Sequence, residues 1–363
     1  MTKLQNIYMV KKAKVNHVGM VPIERKKGQV AKKEIRVLSC GGGVTFSYQS
    51  GTPSIGDISA VLDSLKNMVQ MANVKTISFH RTSSSAMLVE DIISLALEIK
   101  RLIAEERVNG FVVVQGTDTI EETAFLLNLL IHDPVPIAIT GGVRIPDFES
   151  PDGPANLLSA LQVVSSDNCR DIGTVVVFNE VIFPGDLVRN THTHIPQAFG
   201  AECGSLGFVV EGVPNLRLKP IRRKVPYLHI TTNKVQPVPI YSVPMGDDGR
   251  ILGAIRKLGY RGLVLEALGG GHVPTGLVEK LEALAREIPV ILASRVEFGD
   301  MLTSTYSGYP GSETSLLKRG LISAGMLDGR KARILLILLL MSGCSREEIV
   351  DSFRIFSRAY LHG

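Results

Sequence analysis

At 363 residues the chain is longer than one ordinary hydrophobic core accommodates, and two unequal domains of common size are expected. An apolar fraction of 45% against 21% charged residues marks a folded globular protein, and the longest apolar run, Ile334 to Met341, falls far short of the roughly 20 residues that span a bilayer. The net charge of +5 is uneven: ten lysines and arginines lie between Lys3 and Arg36, and the remainder is slightly acidic.

Residues 1–33 therefore read as a basic arm. Its charge could meet a polyanion, but it holds one aromatic, Tyr8, and no RNA-binding motif, so a solvated or oligomer-packing arm is expected rather than a nucleic-acid contact. It contains no continuous apolar stretch with a small-residue cleavage site, which makes the cytoplasm the expected location. Cys40, Cys169, Cys203 and Cys344 form no C-x-x-C pair and have no histidine at zinc-ligand spacing; reduced thiols and no metal are expected.

From Glu34 to about Gly212, short apolar runs alternate with longer amphipathic ones. Ile35–Ser39, Thr76–Phe79, Phe111–Val114, Ile137–Thr140 and Thr174–Phe178 read as buried strands, with helices over Ile58–Met71, Met87–Glu105, Ile120–Leu130 and Pro154–Val164. Such alternation predicts parallel βαβ units in a doubly wound sheet. Prolines and clustered basic residues over 213–238 read as a linker. A smaller α/β domain over 239–363 follows, with strands at Ile240–Val243, Gly262–Leu265 and Val290–Ala293 and helices at Thr275–Arg286, Gly329–Met341 and Arg346–Phe356. Ser345 with Glu348 predicts a capping box for the last helix, and Gly343 a stop for the one before it.

After the first strand comes Cys40-Gly41-Gly42-Gly43-Val44-Thr45, placed where parallel sheets bind ligands. Its glycines let backbone N–H groups approach an anion or a developing oxyanion. It is neither G-x-G-x-x-G nor a P-loop, which speaks against a nucleotide. A second run, Gly269-Gly270-Gly271-His272, ends a strand of the second domain.

The segment Gln115-Gly116-Thr117-Asp118-Thr119-Ile120-Glu121-Glu122-Thr123-Ala124 resembles a signature of the bacterial L-asparaginase/glutaminase family, with glutamine where histidine is usual. Ser150-Pro151-Asp152-Gly153-Pro154-Ala155-Asn156-Leu157, Leu187-Val188-Arg189-Asn190-Thr191 and Gly329-Arg330-Lys331-Ala332-Arg333 are similar to further family segments in the same order. The resemblance implies a two-domain α/β fold, hydrolysis of a side-chain amide through a threonine, no cofactor, and a homodimer or homotetramer whose sites are shared between subunits. By the same resemblance Thr117 and Asp118 match the second threonine and the acid that holds a substrate ammonium. Ser84 matches the serine that binds the substrate carboxylate, and Ser85 the position beside it. Gly42 and Gly43 lie in the substrate loop, Glu313 at the acid supplied across the interface, and Tyr48 near the tyrosine of a shortened mobile loop.

Two departures fall on the chemistry. The alignment puts Gly43 at the usual threonine nucleophile and Asn190 at the usual lysine; a glycine has no oxygen to attack with, and a carboxamide is neither base nor cation. Thr117, Thr45 after a two-residue slip, or Cys40 could supply the nucleophile, and Arg189 the charge. Three functions remain open: an amidohydrolase acting on an amide or imide of an aspartate- or asparagine-like substrate, an enzyme running other chemistry such as a biosynthetic step on the same scaffold, and a non-catalytic amino-acid-binding regulator.

Overall fold

A computed structural model describes residues 32–42, 44, 46–49, 52–56, 58–65, 72–232 and 234–357. The basic arm up to residue 31 lies outside them. The larger domain contains β1 (Lys33–Ser39), β2 (Phe46–Gln49), β3 (Thr52–Ile55), α1 (Ser59–Leu65), β4 (Ala72–Ser78), α2 (Val89–Glu105), β5 (Gly110–Val114), α3 (Ile120–Leu130), β6 (Ile137–Thr140), α4 (Gly153–Ser165), β7 (Thr174–Phe178), β8 (Val181–Pro184), β9 (Arg189–Asn190), β10 (Phe199–Gly200), β11 (Gly207–Val210) and β12 (Val213–Leu216). The smaller holds β13 (Ile240–Ser242), β14 (Leu263–Ala267), α5 (Val278–Glu287), β15 (Val290–Ser294), α6 (Glu313–Lys318), β16 (Ile322–Ser323), α7 (Gly329–Met341) and α8 (Arg346–Arg354).

The main sheet has the order β12-β11-β8-β7-β6-β5-β1-β4. Strands β4, β1, β5, β6 and β7 run parallel, and β8, β11 and β12 continue antiparallel from β7. The apolar runs of β5 and β7 are buried at every position, because helices cover both faces. Residues of α2 and α3 pack on one face with Phe111 and Val113, while α1 and α4 pack on the other with Val112 and Val114. The second domain is a four-stranded parallel sheet, β13-β14-β15-β16.

Helix α7 carries the apolar run singled out in the sequence. It is buried nearly all round because it lies between α3 of the first domain and strands β14 and β15 of the second. Asp328 caps it by accepting from the Arg330 and Lys331 N–H groups (3.0 and 3.1 Å), and Gly343 follows its end at φ 71°. The Ser345/Glu348 capping box starts α8. No helix among the described residues is long and apolar enough to cross a membrane.

Several elements depart from the periodicity reading. Strands β8 and β11 went unread, and β12 occupies the first residues assigned to the linker. The hairpin turns before β8 and β12 use Asn179-Glu180 (φ 50° and 63°) and Glu211-Gly212 (φ 51° and 74°), so three of four left-handed positions lack the glycine that signals such a turn. Helix α1 is described only to Leu65, and the Thr275–Arg286 segment starts as a 3-10 turn, Thr275–Leu277, before becoming α5. Cys40 and Cys169 are core residues, but Cys203 is exposed, so it is not a buried small apolar group.

Candidate active site

Because β1 lies between β4 and β5, the loops leaving their carboxyl ends are neighbours. Glycines set how close they come. A Cβ on Gly42, whose φ is +95°, would stand 2.0 Å from the Gly116 nitrogen; one on Gly116 would stand 2.3 Å from Ser84 Oγ. The loop at Gly42 therefore packs backbone to backbone on Gly116, and Gly116 in turn on the Ser84 side chain at the start of the 3-10 turn Ser84–Ala86, with the 3-10 turn Thr117–Thr119 following Gly116. From the far side, Gly141 after β6 closes on the carbonyl of Gln115, where a Cβ would stand 2.5 Å from the oxygen.

Ser84, fully buried, donates from Oγ to Asp118 Oδ2 (2.7 Å). Thr119 Oγ1 donates to the Ser84 carbonyl (3.2 Å) and receives Gln115 Nε2 (3.4 Å). Thr117 is half-buried, and its hydroxyl has no bonding partner among the described residues. Asp118 is exposed. Ser85 is also exposed, with its Oγ 2.9 Å from Ser83 Oγ. Gly42, Ser84, Thr117 and Asp118 thus come together as the sequence anticipates. Gly43 and Thr45 lie outside the described residues. Tyr48 sits in the β2–β3 hairpin opposite Pro53, and its side chain is likewise outside them.

The S-x-D-G-P-x-N-L segment ties the neighbouring loops. Asp152 accepts from the Val143 and Arg144 N–H groups (3.2 and 2.8 Å), and Asn156 donates to the Gly141 carbonyl (3.0 Å) while accepting from the Asn179 N–H (2.8 Å). Asn190 lies one turn along α3 from the site: its N–H donates to Glu121 Oε2 (2.9 Å), and its Oδ1 accepts from the His192 N–H (3.4 Å).

Three residues lie deeper in the fold than the sequence indicates. Arg189 does not stand in for the lysine; it is buried, its Nε lies 3.2 Å from Asp328 Oδ2, and its guanidinium sits 5.3 Å from the Phe298 ring centre. Cys40 is fully buried, and burial, aided by the charge of Asp91, pushes its thiol up to about 12, so no thiolate forms at neutral pH. Glu313, expected at an interface, lies inside the fold of its own chain. It is fully buried, its Oε1 accepts the Tyr306 N–H (2.6 Å), and its Oε2 lies 3.2 Å from His272 Nε2 at an angle that makes no hydrogen bond. The loop before α6 folds back over its own helix start, which sequence spacing alone does not reveal.

Reading the sequence also passed over Gln115 and Thr119 as individual side chains, although both stand in the signature. A surface cavity of about 840 Å³ runs along β12 at the opposite edge of the sheet and is lined by none of the site residues.

A model of the asparaginase N-terminal domain matches residues 34–222, and a model of the glutaminase/asparaginase C-terminal domain matches residues 237–353. The chain belongs to the asparaginase family. It is 29% identical to a glutaminase-asparaginase of Acinetobacter glutaminasificans, over 89% of this chain and 99% of that protein. It is 31% identical to an L-asparaginase of Bacillus licheniformis, over 88% and 99% respectively. A crystal structure of a probable cytoplasmic L-asparaginase from Campylobacter jejuni superposes with a TM-score of 0.80 at 28% identity, covering 89% of this chain and 99% of that one. The fold is thus the two-domain asparaginase fold, and the family is one of C–N amidohydrolases.

Proposed function

We propose that this asparaginase-family member hydrolyses the side-chain amide of an asparagine-like amino acid, or a related imide, with Thr117 as its principal hydroxyl. The observation that carries this reading is the Ser84–Asp118 pair beside the unbonded Thr117 hydroxyl. On binding, the Asp118 carboxylate would take the substrate ammonium, and the Ser84 hydroxyl, which donates to Asp118 Oδ2 in the free protein (2.7 Å), would turn its one proton to the substrate carboxylate. The substrate's amide carbon would then lie toward Thr117 and the loop that carries Gly42. Attack by Thr117 Oγ1 forms a C–O bond as the C–N bond breaks, with the hydroxyl proton leaving on ammonia. Water then hydrolyses the acyl-threonine ester to the free acid and returns the proton to Oγ1, whereas a water oriented by Thr117 would give the acid and ammonia in one addition and elimination.

A homodimer or homotetramer and a cytoplasmic location belong to the same proposal; the second is supported by the likeness to the Campylobacter protein, whose name carries that location. Glu313 is given no catalytic role in this reading, because it is buried and its Oε1 accepts the Tyr306 N–H of the same chain.

The test is ammonia release and ring opening by purified protein given asparagine, glutamine, isoasparagine and an aspartyl succinimide. Turnover of asparagine or the imide should fall by more than about a thousandfold in Thr117→Ala. Silence toward all four substrates, or full activity of Thr117→Ala, would refute the reading. The neutral Asn190, with Arg189 engaged elsewhere, favours one second reading, a binder of amino acids without turnover. It would show as thermal stabilisation by aspartate in a protein that releases no ammonia.

A further inference from the structure

Gln115 directly follows β5, and the strand's alternation continued by one residue puts it on the side that Phe111 and Val113 share. That side is the apolar layer under α2 and α3. The Gln115 side chain is fully buried there, and its Oε1 meets no donor among the described residues. A buried carboxamide oxygen left unpaired loses its hydration without recompense, and an apolar residue of similar shape would avoid that cost. What the carboxamide does in return is visible in its other atom. Nε2 donates to Thr119 Oγ1; Thr119 uses its own proton on the Ser84 carbonyl; Ser84 Oγ donates to Asp118. Each hydroxyl in this series has its direction fixed by the next bond. Thr119 must accept from Gln115 to keep its proton for Ser84.

We infer that Gln115 is a positioning residue for substrate binding, acting from beneath the site through Thr119 and the Ser84 turn on Asp118. The Ser84–Ala86 turn has no side-chain cap of its own, so the bond from Thr119 to the Ser84 carbonyl pins its first residue. The backbone is held from the other side by Gly116, whose missing Cβ leaves room for Ser84 Oγ. Loss of the Gln115 bond frees the Thr119 hydroxyl to rotate, and the Ser84–Asp118 geometry loses its support. The effect falls on affinity for the amino-acid end of the ligand and leaves the step at Thr117 largely untouched.

The inference rests on Ser84 and Asp118 holding that end, and the experiment separates the two. Aspartate affinity is measured by calorimetry, with KM and kcat for asparagine, on the full-length Gln115→Leu, Gln115→His, Thr119→Val and Asp118→Asn proteins and on the Gln115→Leu/Thr119→Val double variant. Gln115→Leu and Thr119→Val should each weaken aspartate binding and raise KM about tenfold, the worth of one hydrogen bond, with kcat changed less than about threefold. The double variant should be no worse than either single, because both break one series of bonds. Gln115→His, which keeps a ring donor, should recover most of the affinity. Unchanged aspartate affinity in Gln115→Leu with only a lowered melting temperature would overturn the inference, as would losses that multiply in the double variant. If Gln115→Leu does not fold, Thr119→Val alone decides by the same affinity criterion. Normal aspartate binding by Asp118→Asn would instead sink the functional reading itself, whereas lost binding there with normal binding in Gln115→Leu sinks only the role of Gln115.

Discussion

Gly42 and Gly116 decide what the other residues of the site can do. Neither binds a ligand through a side chain, but a methyl group on either would push apart loops that must touch. Gly42→Ala meets both a backbone nitrogen at 2.0 Å and a φ of +95°, and neither can be relieved by a rotamer change. It should cost about 2 kcal/mol or more in urea denaturation and weaken aspartate binding in parallel; a loss below about 0.5 kcal/mol would show that the loop is free to move away. The sequence announced the three glycines, and the reason first given for them was contact with an oxyanion. The structure gives Gly42 a second reason, close packing on Gly116. Asn190 teaches a related point: its identity excludes a base, and only the fold reveals that its backbone is already committed to Glu121.

The junction between α3, β9 and the start of α7 concentrates charge. Glu121 accepts from the Asn190 N–H and pairs with Arg330 (3.0 Å); Asp328 caps α7, receives Lys331 Nζ (2.9 Å) and pairs with Arg189; Lys331 Nζ also donates to the Val188 carbonyl (2.8 Å). Burial pushes the Glu121 carboxyl up, opposed by Lys331 and Arg330. Burial also acts on Asp328, but there the charge and hydrogen bond of Lys331, with Arg189, outweigh it and hold the carboxyl at about 2. A carboxyl depressed from 3.8 to about 2 contributes stability that is complete above pH 3.8 and is lost as pH falls through about 2. Asp328→Asn should therefore be less stable than the parent by about 2 kcal/mol at neutral pH, with the gap closing between pH 4 and 2. Equal gaps at pH 7 and pH 2.5, measured by urea titration, would assign the effect to the cap alone. The sequence indicated a G-R-K-A-R helix start; it could not indicate that Lys331 reaches back to the first domain, because that contact joins residues 143 positions apart.

Both sheets share one core. Residues from β5, α2, α3, β14, β15, α7 and α8 fall in a single apolar cluster, and Phe125 of α3 packs on Phe356, just beyond α8, with ring centres 5.9 Å apart. A core continuous across the two domains should make them unfold together. Leu336→Ala, which vacates a fully buried position of α7 beside Gly262, should lower stability by about 2–5 kcal/mol and move a single transition seen alike by circular dichroism and tyrosine fluorescence. Two separated transitions would show that α7 belongs to the second domain alone.

By itself the sequence determined the elements whose signal is local. The buried strands β1, β5, β6 and β7 showed as short apolar runs, α3 and α7 as longer ones, α8 through its capping box, and the site through an ordered signature ending β5. Tertiary structure alone decided the rest. It set the antiparallel extension β8-β11-β12, whose turns use left-handed residues other than glycine, and the burial of Cys40 and Glu313. It also set the diversion of Arg189 to Asp328 and the placement of Gln115 beneath the ligand-facing loops. Burial and hydrogen-bond partnership depend on which distant segments pack together, and those segments here lie tens to hundreds of residues apart along the chain.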